Sequence, residues 1–465
     1  MNFTFVPDPC QQEVIEAEGG NHLVLASPGC GKTQILAERI CRAHENGVDY
    51  ADMLCLTFTN RAARGMTERI ARRMGDEVTG EIFVGNVHRY CSRFLFANGL
   101  VPTESAVIDD DDAVSILARY LGDDEYSVVA NYQRRREYAE VFHLSTFMHQ
   151  IRMKHPKAIR VHSECLDSND IAAMKCICRL QKKDFTPEMM VDMYLHADLY
   201  RSLTRSDTMD YGSQQIVKKM LRKMVLAWEY ERYKRENRLL DFNDLLMFTY
   251  DALASDTTDA PRFHRYRWIQ VDEVQDLNPL QMQIIRLLTA PDALTVMCLG
   301  DEQQAIFSFM GAKMGTLEAL RNREGCCLHH LSVNHRSPEY LLQVFNDYAA
   351  TVLGIDKTML PQPCGDNRAV RLGNELMILR SDNYESEVRD VVQFAVQLNH
   401  NFPHDTTAIV VNANRDAEDI AAELKRCGVG FFKVSGTDLF ATPDVKLVFA
   451  HLSVLNNEMN FMAWA

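Results

Sequence analysis

The chain has 465 residues, of which 46% are hydrophobic and 25% are charged, which fits a globular protein of two or three domains. No apolar run approaches the roughly 20 residues that a membrane-spanning helix needs, and the N-terminus lacks the basic and apolar zones of a secretion signal. Thirteen cysteines include no Cys-x-x-Cys pair, which disfavours zinc and iron–sulfur sites. We therefore expect a cytoplasmic protein with reduced thiols and no membrane contact.

The net charge is −14, which argues against a uniformly basic surface for nucleic acid. An acidic protein can still present a local basic groove, and short basic runs occur at 134–136, 182–183 and 218–223. Such runs are more often solvated helix faces, so charge alone leaves nucleic-acid binding open.

The first predicted elements are a strand at 22–25 and a helix at 34–40, joined by a glycine-rich loop. This order is what a phosphate-binding loop requires, although Ala26 stands where the usual pattern has its first glycine. Glycines let successive backbone N–H groups point at one phosphate, and the helix N-terminus adds its dipole. The candidate phosphate-binding residues are Ala26, Ser27, Pro28, Gly29, Cys30, Gly31, Lys32 and Thr33. In this pattern Lys32 contacts the terminal phosphates and Thr33 offers a hydroxyl to Mg²⁺.

Further strands are predicted at 53–58, 82–87, 267–271 and 294–299, with helices between the early ones. This alternation predicts an α/β fold with a parallel sheet covered on both faces. From about residue 96 to residue 235 strand-like runs disappear and charged helical patterns replace them, as at 111–120 and 214–235. We therefore predict a helical domain inserted between two strands of one sheet.

The predicted strand before Asp272 ends in two acidic residues, Asp272 and Glu273. A carboxylate at this strand end can hold the Mg²⁺ that Thr33 also contacts, and the next carboxylate can orient or deprotonate a water aimed at the γ-phosphate. Together with the phosphate-binding loop, the pair predicts hydrolysis of a nucleoside triphosphate.

A second α/β pattern follows residue 337. Strands are predicted at 376–379, 407–411 and 431–434, and helices at 386–398 and 416–427. Gly428 is the predicted C-terminal cap of the second helix.

Several segments narrow the class of NTPase. The strings LTFTNRAA at 56–63, DEVQD at 272–276, GDEQQAIF at 300–307 and NHRS at 334–337 resemble motifs Ia, II, III and IV of UvrD/Rep/PcrA-type superfamily 1 DNA helicases. Weaker matches are VGNVH at 84–88 and LDFNDLL at 240–246. The match in order and approximate spacing covers most of the chain up to about Arg336. Beyond that point only the general α/β pattern is similar.

The resemblance implies two RecA-like domains and their site residues. It implies a first RecA-like ATP-binding domain at 1–95 and 236–325, an inserted helical domain at 96–235 and part of a second RecA-like domain at 326–465. It also implies ATP and Mg²⁺ as cofactors, with Mg²⁺ on Thr33 and Asp272. The implied catalytic residues are Glu273 as general base, with Gln304 and Arg336 sensing the γ-phosphate. Further implied ATP contacts are Gln11, Gln34 and His335, with Gln11 reading the adenine edge.

For DNA, the resemblance implies base stacking on Phe58 and Phe309 and polar contacts from Asn60, Arg61, Asn86 and His88. It implies ATP-driven movement on single-stranded DNA or DNA junctions with 3′→5′ polarity. Core packing is the commoner fate of a phenylalanine, so this alternative stays open for Phe58 and Phe309.

The sequence also departs from the family. His335 replaces the usual Tyr, Gln34 replaces the usual Arg, Phe309-Met310 replaces a Trp-Arg pair, and no motif V or VI is found. Looser adenine selectivity is expected from the first two changes. We expect a fragment of a longer helicase; the alternative is a natural short relative that needs a partner or does not unwind DNA. Alternative functions are a DNA-stimulated ATPase subunit of a repair or phage-defence complex with a nuclease partner, and an ATP- and DNA-binding module without unwinding activity.

Overall fold

A computed structural model describes residues 5–75, 81–123, 128, 132–205, 209–256, 261–304, 315–365, 376–433 and 443–456. The chain divides into two compact units, residues 1–368 and 369–465. In the described part of the chain, no helix combines the length and the apolar character that crossing a membrane requires.

The helices dominate the described residues. In chain order they are α1 Pro9–Glu16, α2 Lys32–Glu45, α3 Asn60–Met74, α4 Val87–Ala97, α5 Asp110–Leu121, α6 Tyr132–Arg152, α7 Ser168–Leu180, α8 Pro187–Leu195, α9 Ala197–Tyr200, α10 Tyr211–Glu236, α11 Phe242–Ala254, α12 Pro279–Leu288, α13 Gly315–Arg321, α14 Glu339–Thr351, α15 Tyr384–Asn401, α16 Asn414–Arg426 and α17 Pro443–Asn456.

The strands form one large sheet and two small ones. They are β1 Gly20–Ala26, β2 Met53–Leu56, β3 Phe83–Gly85, β4 Ala106–Val107, β5 Leu239–Leu240, β6 Trp268–Val271, β7 Thr295–Gly300, β8 Cys326–Leu331, β9 Val333–Asn334 and β10 Gln362–Pro363. The large sheet has the order β3-β2-β6-β7-β1-β8, and every neighbouring pair is parallel.

Both faces of the large sheet are buried, as a parallel sheet requires. Successive residues of β1 belong to different cores: Leu23 and Leu25 pack into one hydrophobic cluster, and Val24 and Ala26 into the other. β2 alternates in the same way between the two clusters. The two cores hold the strands in register, so the carboxyl ends of β1, β2, β3, β6 and β7 meet at one edge. In such sheets this edge is where ligands bind.

A long helical stretch separates β3 from β6, which are nevertheless in the same sheet, each bonded to β2. The α/β fold class with a parallel sheet is therefore confirmed, as are helices over the predicted ranges 111–120 and 214–235. The sequence missed β8, which pairs with β1 at the edge of the large sheet. Two of its residues, Cys327 and Leu328, are exposed, and two more are histidines, so β8 lacks the continuous apolar run of a central strand.

The second unit contains α15, α16 and α17. The Tyr384 hydroxyl on α15 donates to Asp416 and Asp419 on α16 at 3.0 and 2.9 Å. Gly428 follows α16 with φ +69°, as predicted for a cap.

The prediction of strands at 376–379, 407–411 and 431–434 was wrong for the described residues of these ranges. Their described residues form no ladder with any described strand. Hydrophobic pattern predicts an extended segment, whereas a strand also needs a bonded neighbour.

Candidate functional site

The phosphate-binding loop leaves β1 at Ala26 and enters α2 at Lys32. Gly29 and Gly31 have φ of +84° and +87°, a left-handed conformation that favours glycine. A Cβ at Gly31 would lie 2.6 Å from Nε2 of Gln11, and one at Gly29 would lie 2.8 Å from Nδ2 of Asn334. The loop is therefore tightly enclosed, and its glycines are required for both conformation and space.

Lys32 and the acidic pair lie close together. The Lys32 ammonium donates to the Ala26 carbonyl at 3.0 Å and lies 3.9 Å from Oε1 of Glu273. Asp272, at the end of β6, is buried, and this burial and the neighbouring Glu273 charge raise its pKa to about 7. The Glu273 N–H donates to Oδ1 of Asp272 at 3.0 Å, and this bond and the Lys32 charge offset only part of the cost of burying the Asp272 carboxylate.

A cavity of about 190 Å³ lies at this edge of the sheet. It is lined by Pro28, Gly29, Gly31, Lys32, Thr33, Gln34, Arg69, Glu273, Gln304 and Arg336. The structure therefore brings together five of the eight predicted loop residues, the predicted base and both predicted γ-phosphate sensors, whereas Ala26, Ser27, Cys30 and Asp272 do not line the cavity. A larger cavity of about 280 Å³, lined by residues such as Met53, Phe83 and Tyr266, includes none of the predicted site residues.

Sequence reasoning missed Arg69, which reaches the 190 Å³ cavity from α3. Its Nη1 donates to the Gly65 carbonyl at 2.8 Å. Arg69 lies nine residues after Asn60, and only the packing of α3 against α2 brings it to the loop. A basic residue on an amphipathic helix gives no separate signal in the sequence.

Asn334 and His335 form hydrogen bonds with the phosphate-binding loop. Asn334 Nδ2 donates to the Pro28 carbonyl at 2.8 Å, and the His335 N–H donates to the Gly29 carbonyl at 2.9 Å. The Asn334 side chain also accepts from the Arg336 N–H at 2.9 Å. These contacts lie within the first compact unit, which includes residues 326–368.

Gln11 is buried, whereas His335 is exposed, and both hydrogen-bond to residues near the start of the first helix. Gln11 is 2% exposed, its Nε2 donates to the Cys30 carbonyl at 3.0 Å, and its Oε1 accepts from the Asp8 N–H at 3.0 Å. The His335 ring contacts the Asp8 carboxylate at 2.8 Å. Both side chains therefore support the loop and the start of α1.

The predicted DNA-contacting residues follow β2 and β3 at the same edge of the sheet. Asn86 Nδ2 donates to Oδ1 of Asn60 at 2.9 Å, which joins the starts of α4 and α3. Phe58 is partly buried and packs against the hydrophobic core. Phe309 and the side chain of Arg61 lie outside the described residues.

His88 and a residue that sequence reasoning missed form an aromatic pair. The His88 ring lies 5.4 Å from that of Phe242, the first residue of α11, whose side chain is 40% exposed. Burial lowers the pKa of His88 to about 4, so its ring is uncharged at neutral pH. On the described surface, Phe242 is thus a more exposed aromatic than Phe58.

Comparisons with known proteins agree with this geometry. Residues 8–324 match the model of the UvrD/REP helicase N-terminal domain, and residues 329–465 match that of the UvrD-like helicase C-terminal domain. The chain belongs to the UvrD/REP helicase family. The predicted resemblance is therefore confirmed, and the parallel sheet is consistent with the RecA-like helicase fold.

Several curated relatives are DNA helicases of this family. The chain is 25% identical to ATP-dependent DNA helicase UvrD1 of Mycobacterium leprae over 97% of this chain and 52% of that protein. It is 23% identical to DNA helicase II of Haemophilus influenzae, over 98% and 55%, and 23% identical to ATP-dependent DNA helicase srs2 of Schizosaccharomyces pombe, over 94% and 44%. The chain spans about half the length of the curated relatives it matches.

Proposed function

We propose that this UvrD/REP-family chain is an ATP hydrolase that couples ATP turnover to 3′→5′ movement on single-stranded DNA. The observation that carries the proposal is the 190 Å³ cavity, which brings Lys32, Thr33, Glu273, Gln304 and Arg336 to one place. Phosphoryl transfer depends mainly on positioning and charge stabilisation, and this group supplies both.

In the proposed reaction, the loop N–H groups and Lys32 bind the β- and γ-phosphates. Glu273 accepts a proton from a water whose oxygen attacks the γ-phosphorus. The bond between that phosphorus and the β–γ bridging oxygen breaks, which gives ADP and phosphate. Arg336 and Arg69 place positive charge beside the phosphates, and the Gln304 amide orients the water or a γ-oxygen.

Thr33 and Asp272 also fit Mg²⁺. Asp272, the neighbour of the cavity-lining Glu273, supplies a buried carboxylate whose pKa is raised by burial and the Glu273 charge, and Thr33 lines the cavity and supplies a neutral oxygen. Mg²⁺ prefers such oxygen ligands and, when bound, neutralises charge on the phosphates. We assign the metal to Thr33 and Asp272.

We propose that single-stranded DNA lies along the edge that carries Asn60, Asn86, His88 and Phe242. Phe242 offers an exposed ring for base stacking, worth about 1–3 kcal/mol per base. Asn60 and Asn86 offer amide groups to the backbone. His88 contributes a neutral ring, because its pKa is lowered to about 4.

The domain division proposed for this motor is a first RecA-like domain at 1–95 and 236–325, an inserted helical domain at 96–235 and part of a second RecA-like domain at 326–465. β8 belongs to the large sheet and the first compact unit extends to residue 368, beyond the proposed boundary at 325. We also propose a cytoplasmic location, where ATP is abundant.

A Glu273→Gln variant tests the assignment. It keeps the size of the side chain and removes the base, so we expect ATP turnover to fall by about 100-fold or more while ATP binding persists. Turnover is measured as phosphate release with oligo(dT) present, and binding with a fluorescent ATP analogue. Glu324→Gln, at an exposed position, is the control. Equal turnover in the Glu273 and Glu324 variants would refute the assignment.

A further inference from the structure

Gln275 lies behind the cavity and does not line it. The side chain is 3% exposed, so it is not available to nucleotide or DNA as the structure stands. Its amide Nε2 donates to Oε2 of Glu273 at 2.7 Å, and its Oε1 accepts from the Asp301 N–H at 3.1 Å. One amide group therefore joins the proposed base to the residue that follows β7.

The Glu273 carboxylate needs a hydrogen bond that holds it in place. Glu273 has a backbone φ of +50°, which is unusual for a residue with a side chain, and its side chain is 29% exposed. The Lys32 ammonium, 3.9 Å from Oε1, attracts the carboxylate toward the position where phosphates bind. The hydrogen bond from Gln275 holds the other carboxylate oxygen from behind, so the two oxygens face different partners.

Asp301, whose N–H donates to the Gln275 side chain, also contacts Gln304. Oδ2 of Asp301 accepts from Nε2 of Gln304 at 2.7 Å, and Gln304 lines the cavity. The approach of Gln275 to β7 is close, because a Cβ at Gly300 would lie 2.8 Å from Oε1 of Gln275. The proposed base and the proposed sensor thus belong to one hydrogen-bonded chain that passes through Gln275 and Asp301.

We propose that Gln275 is a positioning residue for ATP hydrolysis, which holds the Glu273 carboxylate in place and ties it to Asp301 and Gln304. This inference rests on the proposed function. An amide suits the position because it donates to a carboxylate and accepts from a backbone N–H at once. A group placed wrongly by about 1 Å costs about 100-fold in rate, so the restraint acts on turnover and leaves phosphate binding largely unchanged.

Two variants separate the parts of this role. Gln275→Glu keeps the shape and an acceptor for the Asp301 N–H but loses the donor to Glu273 and adds a like charge. Gln275→Met keeps the length and loses both hydrogen bonds. The matched control is Gln281→Met on α12: Gln281 is 4% exposed, its Oε1 accepts the Asn278 N–H at 2.9 Å, and it does not line the cavity.

The experiment measures kcat for ATP with saturating oligo(dT), the Kd of a fluorescent ATP analogue, and the melting temperature of each full-length variant. We expect kcat to fall about 10- to 100-fold in both Gln275 variants, with Kd within about threefold of wild type. Gln281→Met is expected to lower the melting temperature and to keep kcat.

Wild-type kcat in both Gln275 variants would overturn the inference. A second result would also overturn it: the Gln275 and Gln281 variants lose kcat, affinity and melting temperature to the same extent. That result would indicate a purely structural role for Gln275. A wild-type chain that binds the ATP analogue and shows no turnover would instead overturn the proposed function, and the inference with it.

Discussion

Gly31 is restricted by two independent features of its surroundings. Its φ of +87° strains any residue with a side chain, and a Cβ there would lie 2.6 Å from Nε2 of Gln11. Gly47 shares the first feature, with φ +91°, but has open space around it. The pair therefore separates backbone strain from the close contact at the loop.

We expect Gly31→Ala to weaken binding of an ATP analogue by at least about 10-fold, because Gln11 and the loop must shift apart. Gly47→Ala is expected to cost about 1 kcal/mol of unfolding free energy and to leave nucleotide affinity unchanged. Fluorescence titration and urea unfolding measure the two quantities. Equal affinity in the two variants would show that Gln11 does not support the loop as the distances indicate.

Arg69 is expected to act through its charge at the cavity. Removing a charged hydrogen-bond donor to a phosphate costs about 1.5–3 kcal/mol, so Arg69→Ala should weaken ATP-analogue binding by about 10- to 100-fold. Arg64→Ala removes an exposed arginine from the same helix and serves as the control. If both variants bind nucleotide like wild type, Arg69 does not contact the phosphates.

At the scale of elements, the junction between α10 and α11 depends on a buried ion cluster. The Lys234 ammonium lies 2.6 Å from carboxylate oxygens of both Asp241 and Asp244. Burial opposes the charge of Lys234, but the two carboxylates outweigh it and raise its pKa. Asp241 also caps α11, so the cluster fixes the position of Phe242 at the start of that helix.

Lys234→Met should therefore be strongly destabilising. It leaves two carboxylates buried without a counter-charge, and breaking a buried pair in this way costs about 3–5 kcal/mol. Lys219→Met changes an exposed lysine on the same helix and should cost less than about 0.5 kcal/mol. Urea unfolding at pH 7 compares the two, and similar values would mean that Lys234 does not neutralise the aspartates.

The histidine stack between α6 and the segment that follows it predicts a pH dependence. The His143 ring stacks on His162 with centroids 3.9 Å apart, and burial, followed by the His162 charge, lowers the pKa of His143 to about 3. In the unfolded chain His143 takes up a proton near its ordinary pKa of 6.5. The unfolded state thus binds more protons between about pH 3 and 6.5, so stability is lost as pH falls through this window.

At pH 5 this single group costs up to about 2 kcal/mol of unfolding free energy relative to pH 7. His143→Phe keeps an aromatic ring and cannot take up the proton, so its loss of stability between pH 7 and pH 5 should be smaller by up to that amount. His404→Phe, at an exposed site, should follow wild type. Parallel pH profiles for His143→Phe and wild type would contradict the assignment.

At the scale of the whole molecule, the sequence predicted the central strands well because each is a short, largely buried and largely apolar run. The phosphate-binding loop and Asp272-Glu273 were predictable because their chemistry depends on residues adjacent in the chain. Their convergence with Gln304 and Arg336 was implied by resemblance alone, since it depends on the order of strands in the sheet.

The roles of other residues were not predictable from the sequence. Arg69 looks ordinary within its helix. Phe242 and Gln275 lie in strings that resemble family motifs, but their roles depend on contacts with His88 and Asp301, which are far away in the chain. The partly exposed edge strand β8 carries too weak a pattern, and the apolar segments at 376–379 and 407–411 carry a strand pattern without a described partner. Pairing and packing across the chain decide such cases.

The most direct test of the proposed motor is steady-state ATP hydrolysis by this 465-residue chain with and without single-stranded oligo(dT), with Lys32→Ala as the inactive control. The account predicts measurable turnover that single-stranded DNA raises by about 10-fold or more and that Lys32→Ala abolishes. Turnover that is unaffected by single-stranded DNA, or that persists in Lys32→Ala, would contradict the coupling of the cavity at the carboxyl edge of the sheet to DNA.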